Sequence, residues 1–414
     1  MQRFSGFSLL RHTLSRHRRW PRSWPDTEPD NHYDVVIIGA GGHGLATAYY
    51  LAKRHGVEKV AVVEKGWLGG GNSGRNTQVC RSNYFYPESA AFYEHSLKLY
   101  ESLADDLNFN IMFSQRGNLE LSHSLEELEM NRRWATAMSM NGIDSELLGP
   151  DEIQKMVPIL NLDCRFPVVG GFIQRRAGIA RHDAVNWAFA RAAAAAGVHI
   201  IQQCEVSGFR TDDSRILAVE TNRGLIGAGS VALCVAGHSS QMAAKAGLRL
   251  PIESIALQAM VTEPLKPILH TVLGSLMIHA YISQSDRGEI VIGGGADPFT
   301  SYAQRGILPT VKDNAAAVTE LIPSFSRLSL MRQWAGICDI SPDSSPIVGT
   351  TPVENLFLSS GWGTGGFKAI PAGGDTLAAT IVNRQTHQLL RPFSLSRFEH
   401  GKLLDEGAAA GVAH

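Results

Sequence analysis

Tyr33-Asp34-Val35-Val36-Ile37-Ile38-Gly39-Ala40-Gly41-Gly42-His43-Gly44 opens a stretch that runs through a helical segment to Val60-Ala61-Val62-Val63-Glu64. It reads as strand, glycine turn, helix, strand, acid. The apolar run Val35 to Ile38 suits a parallel strand buried on both faces. Gly39 and Gly41 let the chain turn tightly and approach a pyrophosphate, and Gly44 lets the helix pack on the strand. Phosphate then meets the amides and the positive end of that helix. Leu45 to Ala52 supplies the helix and His55-Gly56 ends it. Glu64 follows Gly44 by about 20 residues, the spacing at which an acid holds a ribose hydroxyl. The stretch predicts a dinucleotide-binding βαβ unit; its glycines alone leave NAD and FAD both open.

The 414 residues can bury one large or two ordinary cores, and 44% hydrophobic with 19% charged residues is an ordinary globular composition. A net charge of −1 points to neither nucleic acid nor an anionic membrane as partner. No stretch approaches about 18 uninterrupted apolar residues, so no membrane span is expected. Cys80, Cys164, Cys204, Cys234 and Cys338 are scattered without a CxxC pair. That argues against a disulfide framework or a metal site and fits a reducing, cytoplasmic compartment. Arg3, Arg11, Arg16, Arg18, Arg19 and Arg22, with no acid among residues 1–24, superficially resemble a mitochondrial presequence. Trp20, Trp24 and the nearby prolines favour an arm docked on a partner.

After Glu64, Gly69-Gly70-Gly71-Asn72-Ser73-Gly74-Arg75-Asn76-Thr77 is too polar and glycine-rich for helix or strand, and is placed to lie along a cofactor. In Arg81-Ser82-Asn83-Tyr84, Arg81 could grip a carboxylate and Tyr84 offer a hydroxyl and a ring face. Helices are expected over Ser89–Leu107 and Leu125–Met140, with a strand over Gln115–Leu121. Asp183 reads as the N-cap of a helix over Ala184–Ala196, leaving His182 just before its positive end, where the imidazole is biased toward the neutral form with Arg181 adding to the field. Val198–Val206 and Ser230–Cys234 read as further parallel strands, separated by an excursion around Asp212-Asp213-Ser214. From Leu250 to Leu308 short strands at Ala256–Thr262, His279–Ser283 and Glu289–Ile292, with turns at Ser285–Gly288 and Gly293–Gly295, predict an antiparallel sheet. A second glycine-rich turn, Gly361-Trp362-Gly363-Thr364-Gly365-Gly366-Phe367-Lys368, precedes a helix over Gly373–Val382.

The expected fold is α/β: a discontinuous Rossmann-like domain (33–110, 166–245 and 334–390) with an antiparallel-sheet α+β substrate domain (111–165 and 246–333). An arm (1–32) and a tail (391–414) flank them. The dinucleotide fingerprint, the Gly-Gly-Gly-Asn-Ser-Gly loop, Arg81-Ser82-Asn83-Tyr84, Ala177-Gly178-Ile179-Ala180-Arg181-His182-Asp183, the Gly361–Lys368 turn and the tail Pro392–Glu399 together resemble the β-subunit family of heterotetrameric sarcosine oxidases, within the D-amino-acid oxidase and glycine oxidase type of flavoprotein.

The resemblance implies non-covalent FAD and a second flavin, FMN, linked through its 8α-methyl to His182. It implies that FAD takes a hydride from sarcosine, that the imine passes to a folate site on the α subunit, and that FMN relays electrons to O2. Glycine, hydrogen peroxide and 5,10-methylenetetrahydrofolate result with tetrahydrofolate, and formaldehyde without it; α, γ and δ subunits complete the assembly. Carried over by position, FAD contacts fall on Gly39, Gly41, Gly42, His43, Gly44, Glu64, Asn72, Arg75, Thr77, Val79, Val206, Gly363, Gly366 and Lys368. Arg81, Lys368 and Tyr84 fall on the substrate side, the two cations clamping its carboxylate. An exposed apolar surface near His182 is expected, since FMN in the family lies between subunits. Gly336 stands where monomeric relatives carry a flavin-linking cysteine. Glu289-Ile290-Val291-Ile292 lacks their oxygen-activating lysine, and Asn72–Thr77 lacks the linking histidine of dimethylglycine dehydrogenases. A single-flavin oxidase or dehydrogenase of another N-alkylated or cyclic amino acid, and a non-catalytic flavin-bearing interaction subunit, are the alternatives.

Overall fold

The computed structural model describes residues 5–18, 20, 22–25, 27–212 and 214–405. Arg3 and Arg19 of the basic arm, Asp213 and the tail from residue 406 lie outside the described residues. The strand His32–Ile38 runs parallel to Val60–Val63 on one side and Gly224–Leu233 on the other. His199–Ile201 extends this sheet beyond Val60–Val63, and Leu356–Ser360 extends it beyond Gly224–Leu233, both in parallel. Alternate residues serve two cores, as the strand period requires. Val35, Ile37, Val60 and Val62 pack under the helices Gly42–His55, Pro87–Asp106, His182–Ala195 and Ile370–Asn383. Val36, Ile38, Ala61 and Val63 pack on the opposite side with Ile216 and Val219.

Two expectations about this sheet are corrected. The strand expected over Val198–Val206 ends at Ile201, because Gln203 turns at positive φ (53°) and the Cys204 amide donates to the Glu64 carbonyl (2.8 Å). The expected excursion is itself sheet: Val206–Asp212 and Arg215–Thr221 form an antiparallel meander on the first half of Gly224–Leu233.

The second sheet has the order Leu330–Ile340, Glu253–Pro264, Glu289–Thr300, Ala280–Gln284, Val272–Ser275, Asn118–Ser122, Gly170–Gln174, Glu146–Leu148. It is antiparallel except where Val272–Ser275 meets Asn118–Ser122 in parallel. Gly170–Gln174 and the part of Leu330–Ile340 from Trp334 on, expected with the dinucleotide domain, pair in this sheet. Gly293-Gly294-Gly295 is not a turn but lies inside the strand Glu289–Thr300. A Cβ on Gly293 would collide with the Tyr281 ring, and one on Gly294 with the His279 carbonyl, so these glycines permit close approach rather than reversal. The expected strand Gln115–Leu121 breaks at Gly117 (φ 82°) into Ser114–Gln115 and Asn118–Ser122.

A small ribbon joins the two sheets: Gly178–Ile179 pairs with both Val79–Cys80 and Ser114–Gln115. Val79–Cys80 leads directly into Arg81, and Gly178–Ile179 into His182. The helix begins at His182 with Arg181 as N-cap, so Asp183 is not the cap. Its carboxylate instead accepts a fork from Arg181 (2.6 and 2.8 Å) and the Ala184 amide (2.8 Å), a charge-assisted pairing that replaces capping. The arm forms a helix, Gly6–Leu14, with Phe7, Leu10 and Leu14 exposed and His12 stacked on Trp20 (3.9 Å). Among the described residues, no helix is long and apolar enough to cross a membrane.

The C-terminal segment is fastened by an ion pair inside the protein. Arg397 donates through Nε and Nη2 to the two carboxylate oxygens of Asp343 (2.8 Å each), and their side chains are 2% and 0% exposed. Removing one member of such a pair strands the other charge, at a cost of about 3–5 kcal/mol. Arg397→Ala should therefore lower the unfolding free energy by that amount in denaturant titrations, and Arg397→Lys, which loses the fork, by part of it. An Arg397→Ala protein as stable as the parent would show that the pair holds nothing together.

Candidate cofactor and substrate site

Backbone fits build the glycine turn. A Cβ on Gly39, whose φ is 106°, would collide with the Cys234 carbonyl on the adjacent strand, and one on Gly44 with the Gly39 carbonyl. Gly44 therefore sits behind the turn, where its bareness seats the helix on the strand. Helix Gly42–His55 starts from Gly41, which has no side chain to cap it, and has no acid in its first turn. The Gly42 amide donates to Ser73 Oγ (2.8 Å), a neutral acceptor, so no negative charge of the helix's own first turn offsets its positive end. Glu64 accepts the amides of Ala40 (3.0 Å) and Gly66 (2.8 Å), which fixes the carboxylate at the tip of its strand.

This turn opens onto a cavity of about 970 Å³. Gly39, Gly41, Gly42, His43, Glu64, Asn72, Arg75, Thr77, Val79, Val206, Gly363, Gly366, Arg81 and Lys368 all border it. Asn72 and Arg75 act as braces. The Asn72 amide exchanges two hydrogen bonds with the backbone of Ile337 (2.5 and 2.9 Å), and Arg75 donates to the carbonyls of Gly70 and Gly71 and to Gln304. His43 ties the two glycine-rich turns together. Its Nε2–H donates to the Gly366 carbonyl (2.9 Å), which can only accept, and its ring stacks on Trp362 (4.3 Å). Desolvation pulls its pKa down to about 4, so the ring is neutral.

Lys368 is buried and donates from Nζ to the Thr364 carbonyl (3.1 Å). Burial first, and then the guanidinium of Arg81, hold its pKa well below that of a free lysine; Cys80 and Glu120 oppose the shift. Arg81 and the buried Lys368 border one cavity, an arrangement that attracts a carboxylate. Tyr84 does not join them: it is buried behind Arg81, stacked on Tyr93 (3.8 Å) with its ring under the guanidinium (5.1 Å). Its ring face meets the Arg81 guanidinium, and Tyr84 is not among the residues that border the cavity.

Three wall residues escaped the sequence reading. Asp339 accepts the Gly361 amide (2.6 Å); burial raises its pKa to about 6, offset by amide hydrogen bonds that include those from Gly361, Trp362 and Gly363. Nothing local in the sequence marks it. Tyr281 reaches the cavity over Gly293. Glu120 also borders it; the alternation of buried Leu119 and Leu121 around it was a usable signal.

His182 borders a separate cavity of about 470 Å³. Burial lowers its pKa, with Asp183 opposing and Arg181 adding, so desolvation rather than the helix end chiefly keeps it neutral. Its Nδ1 is buried without a partner among the described residues. Trp67 and Met112, 63% and 39% exposed, line the same cavity, an apolar rim of the kind expected beside His182. Trp67, Gly70, Arg75, Asn76 and Gln78 line both cavities.

A helix start without an acid, a carboxylate at the next strand tip and glycines at the turn make the larger cavity fit a dinucleotide such as FAD. The profile of the family described as FAD dependent oxidoreductase matches residues 34–380. The chain is 49% identical to sarcosine oxidase subunit beta of Rhodobacter capsulatus, covering 100% of both chains. It is 52% identical to the subunit of that name from an Arthrobacter species, over 94% of this chain and 97% of the other. Its structure superposes on L-proline dehydrogenase from P. horikoshii with a TM-score of 0.84 and 28% identity, covering 92% of this chain and 100% of that one. With glycine oxidase from Geobacillus kaustophilus the TM-score is 0.81 at 25% identity, covering 89% and 99%. The chain belongs to the FAD-dependent oxidoreductases and, within them, to the family of sarcosine oxidase β subunits.

Proposed function

We propose that this chain is the amine-oxidising subunit of a heterotetramer with α, γ and δ partners, acting on sarcosine with FAD in the larger cavity and FMN attached at His182 in the smaller. The observation that carries this reading is the shared wall: one stretch, residues 67–78, has a dinucleotide-shaped cavity on one side and a neutral, desolvated histidine on the other. When bound, FAD supplies a two-electron acceptor for the N-methyl C–H bond and FMN a second acceptor that passes the electrons to O2. Overall, sarcosine, O2 and tetrahydrofolate become glycine, hydrogen peroxide and 5,10-methylenetetrahydrofolate; without the folate, water takes its place and the methyl carbon leaves as formaldehyde.

The protein's part is positional and electrostatic. Arg81 and Lys368 hold the carboxylate, so a small amino acid enters in one orientation with its amine directed away from the cations. Burial of Lys368 strengthens its attraction for the carboxylate while it is charged. His43 and Asp339 keep the Gly361–Lys368 turn, and hence Lys368, against the first glycine turn. The exposed rim at Trp67 and Met112 suits a smaller cavity completed by another subunit.

Acid precipitation of the purified complex tests the cofactor reading. FAD should appear in the supernatant and FMN on the His182 peptide by mass spectrometry, and His182→Asn should release all flavin. Only free FAD in the parent complex would overturn the second flavin. The clamp has a pH signature. Because burial and Arg81 depress the Lys368 pKa, its charge is lost at lower pH than for a free lysine. Carboxylate affinity should be constant at low pH and fall as pH rises through that value. Arg81→Ala should move the fall to higher pH while weakening binding, and Lys368→Met should remove it. A fall that survives Lys368→Met would show that another group titrates.

A further inference from the structure

Glu120 is the acid of the substrate end. It lies on the strand Asn118–Ser122, whose Leu119 and Leu121 are buried in the core of the second sheet, so that Glu120 turns to the opposite face and borders the larger cavity. The adjacent strand makes room for it. Glu120 is in register with Gly274, and a Cβ there would collide with Oε2 of the carboxylate. Oε1 accepts from Asn118 Nδ2 (2.8 Å), which fixes the carboxylate's rotation; among the described residues, Oε2 accepts no hydrogen bond and neither oxygen is in an ion pair. The carboxylate is close enough to Lys368 to favour its charged form.

A carboxylate that borders a cavity and has no ion pair there is costly unless a cation joins it. We infer that Glu120 is the recognition site for the substrate's amine, taking it as an ammonium while Arg81 and Lys368 take the carboxylate. The inference rests on the clamp reading above and extends it. Two cations and one anion complement a zwitterionic amino acid and discriminate against a simple carboxylic acid, which would leave Glu120 unpaired. The ammonium proton has its acceptor at the same place: an N–H bond breaks, an O–H bond forms on Glu120, and the nitrogen regains its lone pair.

The test uses the intact flavin-loaded complex and two ligands of similar size. The apparent dissociation constant of sarcosine comes from the concentration dependence of anaerobic flavin bleaching. That of methoxyacetate, whose ether oxygen cannot carry a proton at these pH values, comes from its perturbation of the visible flavin spectrum. Glu120→Gln should weaken sarcosine at least tenfold and leave methoxyacetate within twofold, and the second measurement also shows that the variant is folded. Gly274→Ala, which displaces the carboxylate without removing it, should act in the same direction. Unchanged sarcosine binding in Glu120→Gln overturns the inference and leaves Glu120 a partner of Asn118 only. Equal weakening of both ligands overturns it too, since Glu120 would then act through the charge of Lys368. If the parent complex binds neither compound, the clamp reading itself fails and takes this inference with it.

Discussion

The first helix of the dinucleotide unit and the last long helix pack so closely that side chains are missing where they meet. A Cβ on Gly42 would collide with Ile370, one on Gly374 with Ala46, and one on Gly373 would lie 2.7 Å from Nδ1 of His43. This contact brings the Gly366 carbonyl to His43 and sets Lys368 opposite Arg81. Neither end of the chain makes the site alone. Partners so far apart in sequence are held by packing that forms only when both segments are in place, so the cavity is a property of the completed fold.

That packing also governs the electrostatics. Arg81 and Lys368 face one cavity against their mutual repulsion because the packing around them holds both in place, while Cys80 and Glu120 oppose the shift that burial and Arg81 impose on Lys368. Asp339 is a second buried charge kept for geometry. Its pKa of about 6 stands above the usual carboxylate value, so the folded state holds its proton more tightly than the unfolded chain. Its effect on stability is therefore unfavourable as pH rises from the ordinary carboxylate range to about 6, and constant above that. The amides of Gly361, Trp362 and Gly363 limit that cost, and in return the carboxylate fixes the turn that carries Lys368.

What was legible in the sequence was local. The strand, turn, helix and acid from Tyr33 to Glu64 have short-range signatures, and each lies where those signatures put it. Leu125–Met140 has its Ser124 cap and ends beside Gly142, and the structure gives the same bounds. Illegible features depended on distant partners. Gly293–Gly295 reads as a turn until Tyr281 and the His279 carbonyl are seen to require bare backbone within a strand. Tyr84 looks like a ligand-facing hydroxyl until Tyr93 covers it. Asp183 fits an N-cap pattern, yet the neighbouring Arg181 offers the carboxylate a stronger partner than an orphan amide. The sheet to which Leu330–Ile340 belongs was decided by Glu253–Pro264, far away in sequence.

The glycine-rich loop after Glu64 reads as placed to lie along a cofactor, and its surroundings give a second reason for its composition. A Cβ on Gly69 would lie 3.0 Å from the Asn186 amide nitrogen, one on Gly70 2.9 Å from the Trp67 indole and carbonyl, and one on Gly74 2.6 Å from the Gly69 carbonyl. The loop is closed on itself, and Arg75 and Asn72 hold it to Gly70, Gly71 and Ile337. Of the loop's four glycines, Gly71 is exposed with nothing in reach of an added Cβ, whereas the other three have no room for one. A side chain at Gly69 would press on Asn186 of the His182–Ala195 helix, and one at Gly70 or Gly74 on the loop's own Trp67 or Gly69 carbonyl. Glycine here keeps the wall thin and its two faces in fixed register, so that whatever occupies one cavity lies at a set distance from what occupies the other.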